Sequence, residues 1–201
     1  MRLLRNLLRR GINRYFADLL TARWRKSGAT PPPPHGFKQG VIETYRARFG
    51  LKILVETGTF RGDMVAAMLG LFDEIFSIEV FEPFYRQASE EFGAYPHVHI
   101  VFGDSAQVMP AILSQMNSPG LFWLDGHYSG EGTGRGSDDT PVIAELDHIA
   151  KLGRPGQVIL IDDARLFVGK NGYPTLEQIR HWAGSHAFSS CEVADDIIRI
   201  H

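Results

Sequence analysis

Three aspartates and one histidine have the residue types and the placement to carry out chemistry. Asp125 ends an apolar run, and His127 follows it two residues later. The pair Asp162-Asp163 lies at the end of a second apolar run, QVILID. Carboxylates gathered in one place repel each other, and a divalent cation, which prefers oxygen ligands, would relieve that repulsion. A histidine nearby could act as a general base because its pKa lies close to neutrality.

The apolar runs that carry these aspartates belong to a series of predicted strands and helices that begins at Phe37. The series alternates strand and helix five times, which favours a parallel sheet with helices on both faces. The last two strands are joined by a turn too short for a parallel crossover, so they must be antiparallel neighbours. The predicted strands are 52–56, 74–79, 98–102, 121–125, 157–162, 188–193 and 197–200, and the predicted helices are 37–49, 63–71, 83–93, 105–116, 140–152 and 175–184.

Five parallel strands followed by an antiparallel pair resemble the class I S-adenosylmethionine-dependent methyltransferase fold. The resemblance covers residues 37–201 and includes the order of every element. It implies an α/β, Rossmann-like, seven-stranded and mostly parallel sheet with a C-terminal antiparallel hairpin, and it implies S-adenosylmethionine as the cofactor. Ligands of such sheets bind beyond the carboxyl ends of the strands, so we expect the site residues there.

The first strand runs into VETGTFRGD (55–63), which carries an acid and two glycines. Gly58 permits a tight turn before Thr59, and Gly62 opens the next helix. The motif has fewer glycines than the GxGxxG fingerprint of dinucleotide-binding proteins, and Glu56 would repel a pyrophosphate. A glutamate suits instead the cationic amino and sulfonium groups of S-adenosylmethionine.

Two further strand ends supply the remaining predicted cofactor contacts. Glu79 lies 23 residues after Glu56, near the spacing at which an acid binds a ribose diol in related sheets. Asp104 and Ser105 follow the third strand, where methyltransferases of this class often place an acid near the adenine. Asp104 would also suit the N-cap of the next helix, so each acid taken singly has a structural interpretation as well.

Three motifs make the resemblance more specific. VETGTFRGD, the LDG at 124–126 and the IDDAR at 161–165 resemble the macrocin O-methyltransferase-like group, whose metal-dependent members methylate sugar hydroxyls. The resemblance implies Mg²⁺ held by Asp125, Asp162 and Asp163, with Asp125 also serving as general base. The sequence departs from that group at His127, where another acid is more common, and at Arg165, where an aromatic residue is usual.

Three roles stay open for His127: a general base, a metal ligand, or a residue that only hydrogen-bonds its own loop. It lies at the start of the glycine-rich stretch GHYSGEGTGRGS, whose glycines would suit a mobile lid over the acceptor. The DDTP segment that follows (138–141) is typical of a helix start. Phe167, Lys170 and Tyr173 are candidates for the opposite wall of the acceptor site.

The N-terminal segment differs in charge from the rest of the chain. Residues 1–26 contain seven arginines, one lysine and one acid, a net charge of +7, so the remainder carries −9 of the total of −2. Apolar residues recur at intervals of about four, which predicts an amphipathic helix. That helix could lie on an anionic membrane surface, pack on the body or on a second subunit of a homodimer, or act as a mitochondrial targeting peptide. A basic arm on an acidic body does not resemble a nucleic-acid binder.

The sequence therefore predicts a basic helical arm at 1–30, a proline-rich linker at 31–36 and a methyltransferase domain at 37–201. Apolar residues make up 44% of the chain, enough for a core. The single cysteine, Cys191, excludes an intramolecular disulfide, which fits a reducing compartment such as the cytoplasm. No apolar run approaches the roughly 18 residues that suggest a membrane span.

The leading functional prediction is divalent-metal-assisted O-methyl transfer from S-adenosylmethionine to a hydroxyl of a small molecule or glycan. Three alternatives stand beside it: a metal-independent methyltransferase with His127 as base, a nicotinamide-dependent oxidoreductase, and a non-catalytic cofactor-binding module. The missing glycine and the acid at Glu56 argue against the oxidoreductase. The retention of Asp125 together with Asp162 and Asp163 argues against the non-catalytic module.

Overall fold

The structure, a computed structural model, describes residues 16–126 and 140–201. Its strands are β1 (Ile53–Thr57), β2 (Glu74–Glu79), β3 (Val98–Phe102), β4 (Gly120–Leu124), β5 (Val158–Ile161), β6 (Cys191–Ala194) and β7 (Ile197–Ile200). They form one sheet in the order β3-β2-β1-β4-β5-β7-β6. Strands β1 to β5 are parallel, and β7 pairs antiparallel with both β5 and β6. The predicted fold class, including the C-terminal hairpin, is confirmed.

Helices cover both faces of this sheet. Residues 16–26 form α1, and the later helices are α2 (His35–Phe49), α3 (Asp63–Met68), α4 (Glu82–Phe92), α5 (Ser105–Gln115), α6 (Val142–Leu152) and α7 (Leu176–Ser185), with a 3₁₀ turn at Ala164–Leu166. Local signals set their ends: α2 stops at Gly50, which has a left-handed backbone, and α7 begins with a capping box of Thr175 and Gln178.

The central strands are apolar throughout because both of their faces are covered. Every residue of β1, β4 and β5 is buried. Successive residues contribute to opposite cores: Phe122 belongs to the core on one face and Trp123 to the core on the other. Because these strands are buried on both faces, their polar side chains lie only near the strand ends. Candidate functional residues are therefore expected at the strand tips.

The order of the strands determines where a ligand can bind. The chain moves outward from β1 to β2 and β3 on one side, then returns to place β4 on the other side of β1. At such a switch point the loops leave neighbouring strands in opposite directions and open a crevice at their carboxyl ends. The tips of β1 and β4 are therefore the expected centre of the site.

Several boundaries differ from the sequence-based predictions. Helix α2 begins at His35, two residues before the predicted start, and α3 ends at Met68 rather than at residue 71. Strand β6 begins at Cys191 rather than at residue 188, because the backbone N–H of Phe188 still bonds to the end of α7. Within the described ranges, no helix is long and apolar enough to cross a membrane.

Helix α1 packs against the start of α2. The rings of Trp24 and Phe37 lie 5.0 Å apart between centroids. Gly36 faces Ala17 so closely that a Cβ at position 36 would stand 2.3 Å from the Ala17 side chain. The end of the predicted arm is thus held on the domain.

Candidate active site

The tips of β1 and β4 touch through their backbones. The N–H of Asp125 donates to the carbonyl and to the hydroxyl of Thr57, each at 3.2 Å. Gly58 has φ +87°, and a Cβ there would stand 2.8 Å from the carbonyl oxygen of Asp125. Only glycine meets both requirements without strain. The tight turn at Gly58 therefore also allows Asp125 to lie against the carboxyl end of β1.

Glu56 is buried at the end of β1, with 2% of its surface exposed. Its carboxylate accepts a hydrogen bond of 2.5 Å from the hydroxyl of Ser77 on β2, and Ser77 also contacts Thr59 at 2.7 Å. Burial raises the pKa of Glu56 to about 8, against the opposing effect of the Ser77 hydrogen bond. The carboxyl is therefore mostly protonated at neutral pH, and a cationic ligand would favour its ionised form.

Glu79 holds together the loops that follow β1 and β2. Its two carboxylate oxygens accept from the backbone N–H groups of Phe60, at 2.7 Å, and Phe81, at 2.8 Å. Burial raises its pKa, and these donors partly offset the shift. Gly62, with φ +75°, precedes α3 as predicted, and a Cβ there would stand 2.6 Å from the ring of Phe92.

Asp104 and Ser105 follow β3 and lie at the start of α5. Asp104 is the N-cap of α5 and accepts from the N–H of Ala106 at 3.0 Å. Ser105 donates to the buried carboxylate of Glu145 on α6. Burial raises the pKa of Glu145 to about 7, although hydrogen bonds from Ser105 and Thr57 oppose the shift. Glu145 thus connects the predicted cofactor residues to the other half of the site.

The structure brings the three predicted aspartates to one edge of the sheet. The N–H of Asp162 donates to the carbonyl of Leu124 at 3.0 Å, which holds the end of β5 beside the end of β4. Burial raises the pKa of Asp125 well above its usual value, and the neighbouring Asp162 raises it further. Burial also raises the pKa of Asp162. The roles assigned to these carboxylates as base and metal ligands stay predictions.

Two cationic side chains enter this acidic cluster, which we define as Asp125, Asp162 and Asp163. Lys38, on α2, donates to Oδ2 of Asp162. Arg165 donates to Asp163 at 2.7 Å and also pairs with Asp196, which lies in the turn before β7. Two of the three predicted metal ligands therefore already bind a positive group of the same chain.

This arrangement bears on the predicted Mg²⁺. Among residues 16–126 and 140–201, no group of three or more His, Cys, Asp or Glu side chains is placed to hold a metal ion. The carboxylate of Asp162 accepts from Lys38 at one oxygen and from the N–H of Asp163, at 2.9 Å, at the other. Both oxygens of Asp162 and one oxygen of Asp163 are thus engaged in protein hydrogen bonds, so the arrangement as it stands does not offer these three atoms to a divalent cation.

A small pocket lies beside Asp125 and Asp162, between β4, β5 and α6. Its walls combine carboxylates with apolar and aromatic groups, and the lining residues include Leu124, Pro141, Val142, Glu145, Phe167 and Tyr173. Phe167 and Tyr173 meet edge to face, with centroids 5.2 Å apart. These two residues were predicted to form the second acceptor wall. Lys170, the third candidate, is exposed and does not line this pocket.

Some predictions fall on residues that the structure does not describe. His127 lies in the range 127–139, so its roles as base or ligand stay open. The predicted lid beyond Gly126 and the two aspartates of the DDTP segment lie in that range too. Residues 1–15 of the basic arm also lie outside the described residues.

Sequence reasoning missed two residues that belong to this region, Lys38 and Glu145. Lys38 lies 124 positions before its partner Asp162 on a helix that bears no motif. Glu145 could have been recognised from the sequence, since it lies on the apolar face of an amphipathic helix. A carboxylate on such a face is either buried with a hydrogen-bond partner or leaves a polar gap in the face, and Glu145 is buried, with 1% of its surface exposed.

Comparison with known proteins shows the class of fold. No protein-family model matches the sequence, and no curated protein matches it either. Solved structures do match. A proposed caffeoyl-CoA O-methyltransferase from Staphylococcus aureus superposes with a TM-score of 0.60 at 11% identity, over 98% of both chains.

Two further structures agree with that match. An O-methyltransferase from Bacillus cereus, in complex with S-adenosylhomocysteine, gives a TM-score of 0.59 at 15% identity, over 92% of this chain and 89% of the other. TomG from Streptomyces achromogenes, an O-methyltransferase involved in tomaymycin synthesis and in complex with S-adenosylmethionine, gives 0.59 at 14% identity, over 92% and 87%. The chain has the class I methyltransferase fold. At these identities the likeness concerns the fold alone.

Proposed function

We propose that the chain is an S-adenosylmethionine-dependent methyltransferase that methylates a hydroxyl group of a small molecule or glycan. The observation that carries the proposal is the row of acids at successive strand tips of a class I methyltransferase sheet: Glu56 and Glu79 at the ends of β1 and β2, and Asp104 and Asp125 just after β3 and β4. The structures that resemble the chain include O-methyltransferases bound to S-adenosylmethionine or its product, which supports the choice of cofactor and acceptor atom.

The cofactor would lie over the turn at Gly58, with its cationic end toward Glu56 and its ribose toward Glu79. Glu56 suits this position because a buried, protonated carboxyl can ionise when a cation arrives. A dinucleotide would gain nothing from that ionisation, since a pyrophosphate brings negative charge to the same turn. This is the physical reason to prefer a methyltransferase over a nicotinamide-dependent oxidoreductase.

The acceptor hydroxyl would enter the small pocket beside Asp125. S-adenosylmethionine would supply the methyl group and leave as S-adenosylhomocysteine once the acceptor oxygen has taken the methyl, and Asp125 would accept the proton that the hydroxyl gives up. Asp125 is suited to accept that proton because burial and Asp162 raise its pKa. The aromatic groups of Phe167 and Tyr173 would pack against the carbon skeleton of the acceptor.

Titration calorimetry with S-adenosylmethionine and separately with NAD⁺ tests the proposal. We expect one molecule of S-adenosylmethionine to bind and NAD⁺ not to bind. Transfer of a labelled methyl group to a panel of phenols, sugars and nucleotide sugars then tests catalysis. Binding without turnover in the whole panel, in both wild type and Asp125→Asn, would favour the non-catalytic module.

The metal-assisted form of the reaction stays a prediction from the sequence. The position of three aspartates at one sheet edge favours it, whereas the pairing of Asp162 with Lys38 opposes it. Turnover measured in EDTA and in excess Mg²⁺ separates the two forms. The metal-independent form with His127 as base predicts full activity in EDTA and a large loss in His127→Ala.

The basic arm is proposed to bring the enzyme to an anionic membrane surface. Phe16, Leu19 and Leu20 on α1 are 58%, 48% and 56% exposed, an unusual density of solvent-exposed apolar side chains on one helix. Arginines nearby in the sequence would bind lipid headgroups. A homodimer that covers the same apolar face is the competing proposal, and the molar mass in solution distinguishes them.

A further inference from the structure

Lys38 reaches the acidic cluster from a helix that is remote in sequence. Its ammonium donates to Asp162, whose side chain is 1% exposed, while the Lys38 side chain is itself only 14% exposed. Charges so far from water persist only when they are paired and hydrogen-bonded. The ion pair with Lys38 therefore compensates the charge of Asp162 inside the fold.

Helix α2 is built to deliver this lysine. Its buried side chains, Phe37, Val41, Ile42 and Tyr45, recur at helical spacing and pack into the core beneath β4 and β5. The ends of the helix are fixed by Pro34 and Gly50. Lys38 lies next to the first of the buried side chains, so its stem is held along the domain and its ammonium meets the tip of β5.

Arg165 completes the neutralisation on the other side of the cluster. It donates to Asp163 at 2.7 Å and also binds Asp196, which is buried at 8% exposure. The backbone N–H of Arg165 donates to the same Asp196 at 2.8 Å, so Arg165 is held to Asp196 through both its backbone and its guanidinium. Each aspartate that follows β5 thus has its own cationic side chain.

We propose that Lys38 is the resident cation of the acidic cluster and stands in the place that a divalent metal ion would otherwise take. An ammonium group and a metal ion compete for Asp162, because Mg²⁺ needs direct contact with carboxylate oxygens at about 2.0–2.1 Å and two cations that close repel each other strongly. Lys38 is a positioning residue: it fixes Asp162 and supplies positive charge next to Asp125. The assignment of this sheet edge to the acceptor rests on the proposed function. The position of the Lys38 ammonium group beside Asp162 does not depend on it.

The proposal predicts that removing Lys38 creates a metal site. Mn²⁺, whose free and bound forms are distinguished by electron paramagnetic resonance, is titrated into wild type, Lys38→Met and Lys38→Arg. We expect wild type and Lys38→Arg to bind Mn²⁺ only in the millimolar range. We expect Lys38→Met to bind one ion at least about tenfold more tightly, because the like charge has gone and Asp162 is free to ligate. Lys52→Met, which removes an exposed lysine paired with Asp73, is the matched control and should behave as wild type.

Two results of the Mn²⁺ titration overturn the proposal. One is tight binding of Mn²⁺ to wild type that Asp162→Asn abolishes, since it would show that Lys38 yields to the metal. The other is a Lys38→Met variant that gains no affinity. If Lys38→Met is poorly folded, Mn²⁺ should raise its melting temperature and leave that of wild type unchanged, because a ligand of the folded state stabilises it; no such rise also overturns the proposal.

Binding of S-adenosylmethionine, measured on the same samples, separates this inference from the proposed function. The inference stands if the Mn²⁺ affinities follow the expected pattern, even if no sample binds the cofactor. The proposed function stands if wild type binds the cofactor and transfers the methyl group, even if Lys38→Met gains no metal.

Discussion

The burial of Glu56 predicts that S-adenosylmethionine binds more tightly as pH rises toward 8. With a pKa of about 8 in the unliganded protein, about nine molecules in ten carry a protonated Glu56 at pH 7. A cationic ligand favours the ionised form, so the proton must leave when the ligand binds. If only the ionised form binds, the dissociation constant falls about ninefold between pH 6 and pH 7.

Titration calorimetry measures both consequences. The dissociation constant is determined at pH 6.0, 6.5, 7.0 and 7.5, and the proton released is obtained at pH 7 from the binding enthalpy in buffers of different ionisation enthalpy. We expect roughly 0.9 protons released per cofactor at pH 7. In Glu56→Gln the affinity should be weak, flat with pH and without proton release. The variant should fold, because the wild-type carboxyl is already mostly neutral at pH 7 and the Ser77 hydroxyl can donate to the amide oxygen.

Glu91→Gln, an exposed carboxylate on α4, serves as the control and should keep the pH dependence of wild type. A wild-type dissociation constant that does not change between pH 6 and 7.5, or a Glu56→Gln variant that binds as wild type does, would refute the reasoning. Either result would mean that Glu56 does not face the cationic end of the ligand.

Three other predictions follow from the structure. In a denaturant titration, Gly58→Ala should lower the free energy of unfolding by about 1–3 kcal/mol, and it should also weaken cofactor binding. The reason is that φ at Gly58 is +87° and that a Cβ there would stand 2.8 Å from a carbonyl oxygen. Gly40→Ala, in open space within α2, is the control and should be neutral or stabilising in the same titration. Burial raises the folded-state pKa of Glu145 to about 7, so its protonated form stabilises the fold at low pH, and this contribution is lost as pH rises from about 4.5 to 7. The unfolding free energy of Glu145→Gln should therefore rise by up to about 3 kcal/mol relative to that of wild type between pH 5 and pH 8. A difference in unfolding free energy that stays constant over this range would contradict the prediction. The full chain should co-sediment with anionic vesicles at low salt, and a Leu19→Ser/Leu20→Ser double variant should bind several-fold less; equal sedimentation of both would exclude a membrane role for this face.

The fold could be predicted from the sequence because each element carries its own period. Apolar runs of four to six residues alternate with amphipathic segments, and the short turn before residue 197 requires an antiparallel final pair. The boundaries were less predictable, since they depend on tertiary contacts. Phe188 illustrates this: its pattern suits a strand, yet its N–H bonds to the end of α7 and β6 begins only at Cys191.

The residues of the candidate site also fall into two groups, those that local sequence predicts and those that depend on tertiary contacts. The glycines and acids at strand tips are local features, since Gly58 needs its φ and Asp104 caps the helix that follows it directly. Glu145 is different, because its hydrogen-bond partner is Ser105, which lies 40 positions earlier on another helix, and no local pattern predicts that contact.

By itself, the sequence determined, to within about a residue, which acids lie at the carboxyl ends of the parallel strands, and parallel strands necessarily bring those ends to one edge. This was enough to place Asp125 beside Asp162, because neighbouring strand tips lie about 5 Å apart. Only the tertiary structure decided what neutralises these carboxylates. A charge partner is selected by distance in space, and no pattern links Lys38 to a residue 124 positions away. The packing of α2 makes that contact, and so it is the fold, rather than any motif, that puts an ammonium group where the sequence suggested a metal ion.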